Sequence, residues 1–262
     1  MPFKILRILA LLTLLAVVAF YAKTQKLHAR SWSEPLDVII YPINGEQPNA
    51  EIDSYIKELN ASVFSPIDSF FNQQGQIYQL NTHQPVKTHL GAEISQLPPA
   101  APLPSAGLPA ILWWSLKFRY WAYQQTPSKD AKQHSIRVFV LYHQVSANLK
   151  LQHSLGLDKG LLSLVHAFAD IDQDAQNNII IAHEMLHTVG ATDKYQGNGE
   201  PVFPEGYAEP NRSPLWPQNK AEIMAVRMPV TENSSRMAEN LNQCVIGEQT
   251  AREINWLNVP EN

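Results

Sequence analysis

A single cysteine, Cys244, in 262 residues excludes an intramolecular disulfide framework and any cysteine-rich zinc or iron–sulfur site. Charge is sparse too, at 17 % of residues, and the formal balance is only −4. That balance is uneven. Residues 1–30 hold Lys4, Arg7, Lys23, Lys26 and Arg30 and no acid, which leaves 15 basic against 24 acidic residues, or −9, for the rest. An acidic body argues against nucleic acid as a partner. Glycine is scarce, 11 against 19 prolines, so the loops are stiffened rather than flexible. No internal repeat is visible, which excludes a solenoid. What the chain does have is 45 % apolar residues, enough for a packed core in one large domain or two small ones.

One long apolar run stands at the N-terminus. Ile8 to Ala22 is uninterrupted, and Lys4 and Arg7 precede it. A basic segment before an apolar one is the pattern of a secretory signal or a signal anchor. The run is short for a transmembrane helix, which needs roughly 17–25 residues. Counting from Phe3, with Lys4 and Arg7 snorkelling, reaches the lower end. Val17 and Ala19 make a weak cleavage site. The expectation is an uncleaved single-pass transmembrane anchor over residues 1–30, with the body, 31–262, outside the cytoplasm (periplasmic or extracellular). A cleaved signal and a buried core helix are the other readings.

The body reads as one α+β domain. Leu36–Ile43 is apolar and β-branched and reads as a strand. Ile52, Tyr55, Ile56 and Leu59 recur at helical spacing after Asn49, predicting a helix over about 50–62. Ser65-Pro66 starts a second helix, and Pro85–Gly91 reads as a strand. The proline-rich stretch 97–109 is a stiff surface loop leading to an aromatic segment. In that segment Ile111, Trp114, Phe118 and Trp121 share a helical stripe, although Leu116, Phe118 and Tyr120 also alternate like a strand. Ile136–Tyr142 and Gly160–Ala169 read as strands, with Ser154–Gly156 as an extended edge. Asp172 or Asp174 caps a helix from about 174 to Gly190, and Glu248–Trp256 is the last helix.

The chemistry is concentrated in that penultimate helix. His183 and His187 lie one turn apart on one face, so both imidazoles can reach one ion, and Glu184 adjoins the first of them. An unbroken helix would turn Asp193 about 600° from His187 and carry it about 9 Å up the axis. Gly190 can end the helix in a left-handed conformation and let the chain bring Asp193 back to the metal. Five residues of the form HExxH arise by chance in roughly 2 chains in 100, but with Gly190 and Asp193 added the figure falls to roughly 2 in 100,000.

This string, HExxHxxGxxD, resembles the long zinc motif of the metzincin clan of metallopeptidases, in the variant where Asp replaces the third histidine, as in the snapalysin-like group. The resemblance implies a metzincin-like catalytic domain with a twisted mixed sheet above an active-site helix, covering about residues 36–257. It implies Zn(2+) as cofactor, His183, His187 and Asp193 as ligands, and Glu184 as catalytic base. It also implies a Met-turn beneath the metal, with Met224 the first candidate and Met228 the second. Tyr195 and Tyr207, in the loop after the motif, are candidates for a transition-state contact. Two features depart from the clan: Val226 stands where many members have tyrosine, and the proline-rich insertion has no counterpart.

Two neutral imidazoles and one carboxylate would leave a zinc site at net +1, with its water still near pKa 7, to order of magnitude. The expected function is a zinc endopeptidase acting on a protein or peptide substrate, with Glu184 as general base. The alternatives are an inactive membrane-anchored zinc-binding scaffold or interaction module, and a hydrolase of a non-peptide amide. His166 reads as a core or edge histidine, His143 and His153 as loop residues, Asp170, Asp172 and Asp174 as helix-capping acids, and Cys244 as plain apolar packing.

Overall fold

The architecture comes from a computed structural model, which describes residues 2–102, 106–127, 135–145, 154–157 and 161–257. His153 and Gly160 lie outside the described residues. The elements run α1 (Pro2–Ala29), β1 (Leu36–Asn44), α2 (Ala50–Glu58), α3 (Ser65–Ile77), β2 (Val86–Leu90), α4 (Leu108–Gln125), β3 (Ile136–His143), β4 (Leu155–Leu157), β5 (Leu162–Phe168) and α5 (Asp174–Thr188). After a long irregular section come β6 (Ala221–Glu222), β7 (Arg227–Thr231), β8 (Ser234–Met237), β9 (Cys244–Val245) and α6 (Glu248–Glu253).

The main sheet has the order β2-β1-β3-β5-β4. Four strands are parallel, and the edge strand β4 runs antiparallel to β5. Parallel neighbours need crossover connections, and this chain makes them on both faces. The path from β1 to β2 moves one way through α2 and α3. The path from β2 to β3 moves back the other way through α4. Two crossovers of the same hand in opposite directions must use opposite faces. On one face Val38, Ile40, Val138, Val140 and Val165 pack with Ile52, Ile67, Phe71, Ile181 and Met185 of α2, α3 and α5. On the other Ile39, Tyr41, Phe139 and Leu164 pack with Trp114, Phe118 and Trp121 of α4. Burial from both sides explains why the sequence of β1 is a continuous apolar run rather than an alternation.

Cap chemistry fixes the helix starts. Asn49 Oδ1 accepts from the amides of Glu51 and Ile52 at the head of α2, and Pro66 occupies its first turn in α3. The expected helix 50–62 is shorter: α2 stops at Glu58, and Asn60 caps a separate 3-10 turn, Ala61–Phe64. The aromatic segment is a helix, not a strand, and its buried stripe is Trp114, Phe118, Trp121 and Ala122; Ile111 is exposed. The last helix, α6, ends at Glu253, three residues before the expected Trp256. The hairpin of β7 and β8 carries no sequence pattern that announced it.

The N-terminal expectation is overturned. Among the described residues no helix is long and apolar enough to cross a membrane. The run Ile8–Ala22 spans about 22 Å as a helix, against a hydrocarbon core of roughly 30 Å. From there α1 continues through Lys23, Thr24, Gln25 and Lys26, which are polar. The expected transmembrane helix and single-pass membrane placement are therefore withdrawn. The end of α1 joins the body instead: Arg30 donates to Glu253 O and to Asn255 Oδ1, and Trp32 Nε1 donates to Ile254 O at 2.6 Å.

The packing of α4 is testable. Phe118 is fully buried, stacked between Trp114 and Trp121 at ring centroids of 5.3 and 5.6 Å, and meets Phe139 edge-on. Phe118→Ala is expected to destabilise the fold by about 3–5 kcal/mol in urea unfolding, whereas Leu116→Ala on the exposed face should stay within about 0.5 kcal/mol. Equal midpoints for the two variants would show that α4 does not cover the sheet.

Candidate metal centre

The site is built on the floor of the first face. Asn177, in the first turn of α5, bonds both the amide and the carbonyl of Phe168 at the end of β5, at 3.2 and 2.9 Å. Neither Asp172 nor Asp174 caps the helix as expected: Asp170 caps a preceding 3-10 turn, and the residue before α5, Gln173, makes no side-chain cap. Ile179, Ile181, Ala182, Met185 and Leu186 bury α5 nearly all round, so His183 and Glu184 are carried inside with it, at 4 % and 5 % exposure.

The helix ends as the glycine requires. Ala191 N donates to Leu186 O and Gly190 N to His187 O, both at 3.1 Å, with Gly190 at φ +108°. This pair of bonds is a Schellman motif, which needs a residue without Cβ at its left-handed position. The reversed chain returns Asp193 to the histidines. Asp193 Oδ1 lies 3.2 Å from His183 Nε2 and 3.1 Å from His187 Nε2, and those two nitrogens are 3.1 Å apart. Glu184 Oε1 stands back, 4.0 Å from His183 Nε2.

The far sides of the rings are fixed. His183 Nδ1 donates to Ile223 O at 3.1 Å and His187 Nδ1 to Ala191 O at 2.8 Å. With both Nδ1 atoms protonated, the Nε2 lone pairs face each other and the carboxylate, an arrangement that repels itself without a cation between. His183, Glu184 and His187 form a group that could hold a metal ion. By distance Asp193 is the closer carboxylate, 3.1–3.2 Å from both Nε2 atoms against 4.0 Å from Glu184 Oε1 to His183 Nε2.

The same contacts shift the titrating groups of the metal-free protein. Burial opposes ionisation of Asp193, yet its bonds to His183 and His187 outweigh that and hold the carboxyl below its usual range. Burial opposes protonation of His187, but Asp193, Glu184 and the Ala191 carbonyl together raise its pKa. Burial, then Asp193 and Glu184, push the Tyr195 hydroxyl up to about 12. Its ring lies 6.3 Å from that of His183. Tyr207 is elsewhere: it accepts from Trp216 Nε1 and lines a different cavity.

Met224 is fully buried in a turn closed by bonds from the Ala225 and Val226 amides to Glu222 O, both 2.9 Å. Ile223, its neighbour, carries the carbonyl that orients His183, and Met224 O accepts from Lys194 N. Met228 is also buried, but it lies past the turn, in β7. Two residues that the sequence did not single out secure this assembly. Glu222, wholly buried, accepts from the Met224 and Gly247 amides and from Thr250 Oγ1. Burial raises its pKa, against those bonds and Lys194. Lys194, 5 % exposed, donates to Thr192 and to both carboxylate oxygens of Glu253 at 2.8 Å.

A cavity of about 400 Å³ opens beside His183, Glu184 and Tyr195. His166 lies on its wall, a buried edge residue satisfied by His143 Nε2 at 2.9 Å. Burial, then His143, pushes its pKa down to about 4. His143 is not in a loop, as expected, but closes β3. No protein-family model matches the chain, and no curated protein matches it.

Two outcomes follow from these bonds. Lys194→Met leaves Glu253 without its cation, and the expected loss is about 3–5 kcal/mol, as when one partner of a buried pair is removed; thermal melting checks it, and a wild-type melt would show the pair to be idle. For pH, the Asp193 carboxyl is depressed, so its stabilisation is present above pH 3.8 and lost as pH falls through its folded value. The His187 pKa is raised, so its stabilisation is full below pH 6.5 and lost as pH rises through its folded value. The metal-free protein should therefore gain most from this pair between pH 3.8 and 6.5, and Asp193→Asn should flatten that part of the pH–melting curve.

Proposed function

We propose that this chain is a zinc-dependent metallopeptidase of metzincin type that cuts peptide bonds with Glu184 as general base. The observation that carries the reading is the convergence of His183 Nε2, His187 Nε2 and Asp193 Oδ1 at 3.1–3.2 Å from one another. Zinc with tetrahedral bonds of about 2.0–2.1 Å separates its ligands by about 3.3 Å. The triangle is close to that edge, so these three atoms fit the ion. A structural zinc site takes four protein ligands, whereas three leave a position open. The fourth nearby group, Glu184, stands back from the triangle and lines the cavity, which favours catalysis over a scaffold role.

Bound zinc would supply Lewis acidity, polarising the substrate carbonyl and lowering the pKa of a water in the open position. Glu184 takes a proton from the attacking water and returns it to the departing amine. Its burial on a rigid helix keeps the carboxylate aimed and limits competing solvent. Tyr195, protonated at neutral pH, can donate a hydrogen bond to the carbonyl oxygen as it gains charge. Tyr207, in its separate cavity, has no part in this reading. The substrate is a protein or peptide.

Zinc content and peptide hydrolysis measured side by side separate the roles. His183→Ala, His187→Ala and Asp193→Ala should each lose most of the zinc. Met224→Leu should keep it, at a stability loss below about 1.5 kcal/mol. Glu184→Gln should keep near-stoichiometric zinc while hydrolysis falls by about 10²–10⁴-fold or more. Full-rate hydrolysis by Glu184→Gln, or undiminished zinc binding by Asp193→Ala, would defeat the assignment.

A further inference from the structure

The cavity beside the ligand triangle contains one charged group that neither ligates nor acts as base. Arg227 opens β7 immediately after the turn that carries Ile223 and Met224. Val226 before it holds φ +54°, a left-handed conformation strained for a β-branched residue. Both its backbone groups are tied, the amide to Glu222 O and the carbonyl to Ala238 N. This reversal sends β7 along the cavity and puts Arg227 on its wall.

The guanidinium is held by neutral acceptors. Nε donates to Ser235 Oγ and Nη2 to Ser235 O, each at 2.7 Å. Among the described residues no carboxylate pairs with it, and Nη1 has no hydrogen-bond partner. Its other walls mix apolar groups such as Phe168, Ile180 and Met237 with the uncharged amides of Gln173, Gln176 and Asn177, and Glu184 is the one carboxylate on it. His166, its pKa near 4, adds no charge there at neutral pH. A half-buried cation, pinned by neutral groups in a cavity with no other positive charge, is left with unspent capacity for an anion.

We infer that this cavity receives a carboxylate of the substrate, paired with Arg227 beside the bond to be cut. The inference rests on the peptidase reading and adds the substrate class: peptides that place an acidic side chain, or their own C-terminal carboxylate, next to the scissile bond. The competing role for Arg227 is a staple between β7 and β8 through Ser235. A staple holds the hairpin equally whatever the peptide carries, so it predicts no discrimination between Glu and Gln.

The test uses the full zinc-loaded chain and labelled hexapeptides, identical except for Glu or Gln beside the cut and a free or amidated C-terminus. Two readouts are taken: kcat/KM with the native chain, and Kd by fluorescence anisotropy with zinc-loaded Glu184→Gln, which needs no turnover. Glu should be preferred over Gln by roughly 10–100-fold, the range for a hydrogen bond to a charged group. Preference surviving amidation assigns the carboxylate to the side chain; preference found only with a free end assigns it to the terminus. Arg227→Gln should bring either ratio close to one, and Arg227→Glu should invert it, so that Gln is preferred over Glu and the amidated end over the free one. The peptide comparison on the unaltered Arg227 decides the matter even if those variants fold poorly. Equal values for Glu and Gln, and for free and amidated ends, in both readouts overturn the inference. Absent hydrolysis with the binding preference intact would defeat the peptidase reading and leave the carboxylate site standing.

Discussion

The arrangement of the site depends on the chain reversal at Gly190. Two histidines one turn apart define a line, and a metal needs a third atom off that line. The nearest carboxylate in sequence, Glu184, stands farther back, 4.0 Å from His183 Nε2. The Schellman end of α5 reverses the chain and brings Asp193 Oδ1 within 3.1–3.2 Å of both Nε2 atoms. A Cβ at position 190 would face both the wrong backbone region and two neighbours, the Arg30 guanidinium and Glu253 O, each at 3.4 Å. The reversal is thus packed from outside as well as bonded from within.

What holds the returning loop is an ionic clasp between elements distant in sequence. Lys194 follows Asp193, its amide bonds Met224 O, and its ammonium reaches Glu253 of α6. Glu222 performs the complementary task on the turn, with one carboxylate accepting from that turn and from the start of α6. Buried charges of this kind are weak sources of net stability. Their value lies in direction: an unpaired alternative would be costly, so the loop and turn have few other arrangements open to them. Each ligand histidine then leans on a carbonyl from one of the two fixed segments, Ile223 or Ala191.

Much of this was legible in the residues, for identifiable reasons. The strands at β1, β3 and β5 are apolar runs bounded by turn formers, and α5 announces itself by its histidine spacing and its terminal glycine. The N-terminal anchor was misread because composition and basic flanks resemble an anchor while the apolar length falls short. The helix α4 was ambiguous because Trp, Phe and Tyr satisfy periods of 2 and 3.6 together; only the need for a crossover on the second face decides it. Glu222, Lys194 and Arg227 left no signal, because each acts through a partner 8 to 59 positions away. Tyr207 shows the converse error: nearness in sequence to the motif did not bring it to the site.

The three groups proposed as ligands differ in how firmly each is held. The helix donors are set before any metal arrives: His183 is 5 % and His187 18 % exposed at the side chain, each with a fixed Nδ1. Asp193 is 43 % exposed and rides on a loop. The rigid pair alone would bind a divalent ion weakly and with net charge +2. On the proposed reading the loop carboxylate would complete the coordination and remove one charge, from a segment that Lys194 already ties to Met224 O and Glu253. Tyr195 belongs to that same segment, two residues past the ligand. The candidate oxyanion donor thus rides on the same clasped segment as Asp193, and Glu184, fixed on α5, stands on the cavity wall beside them.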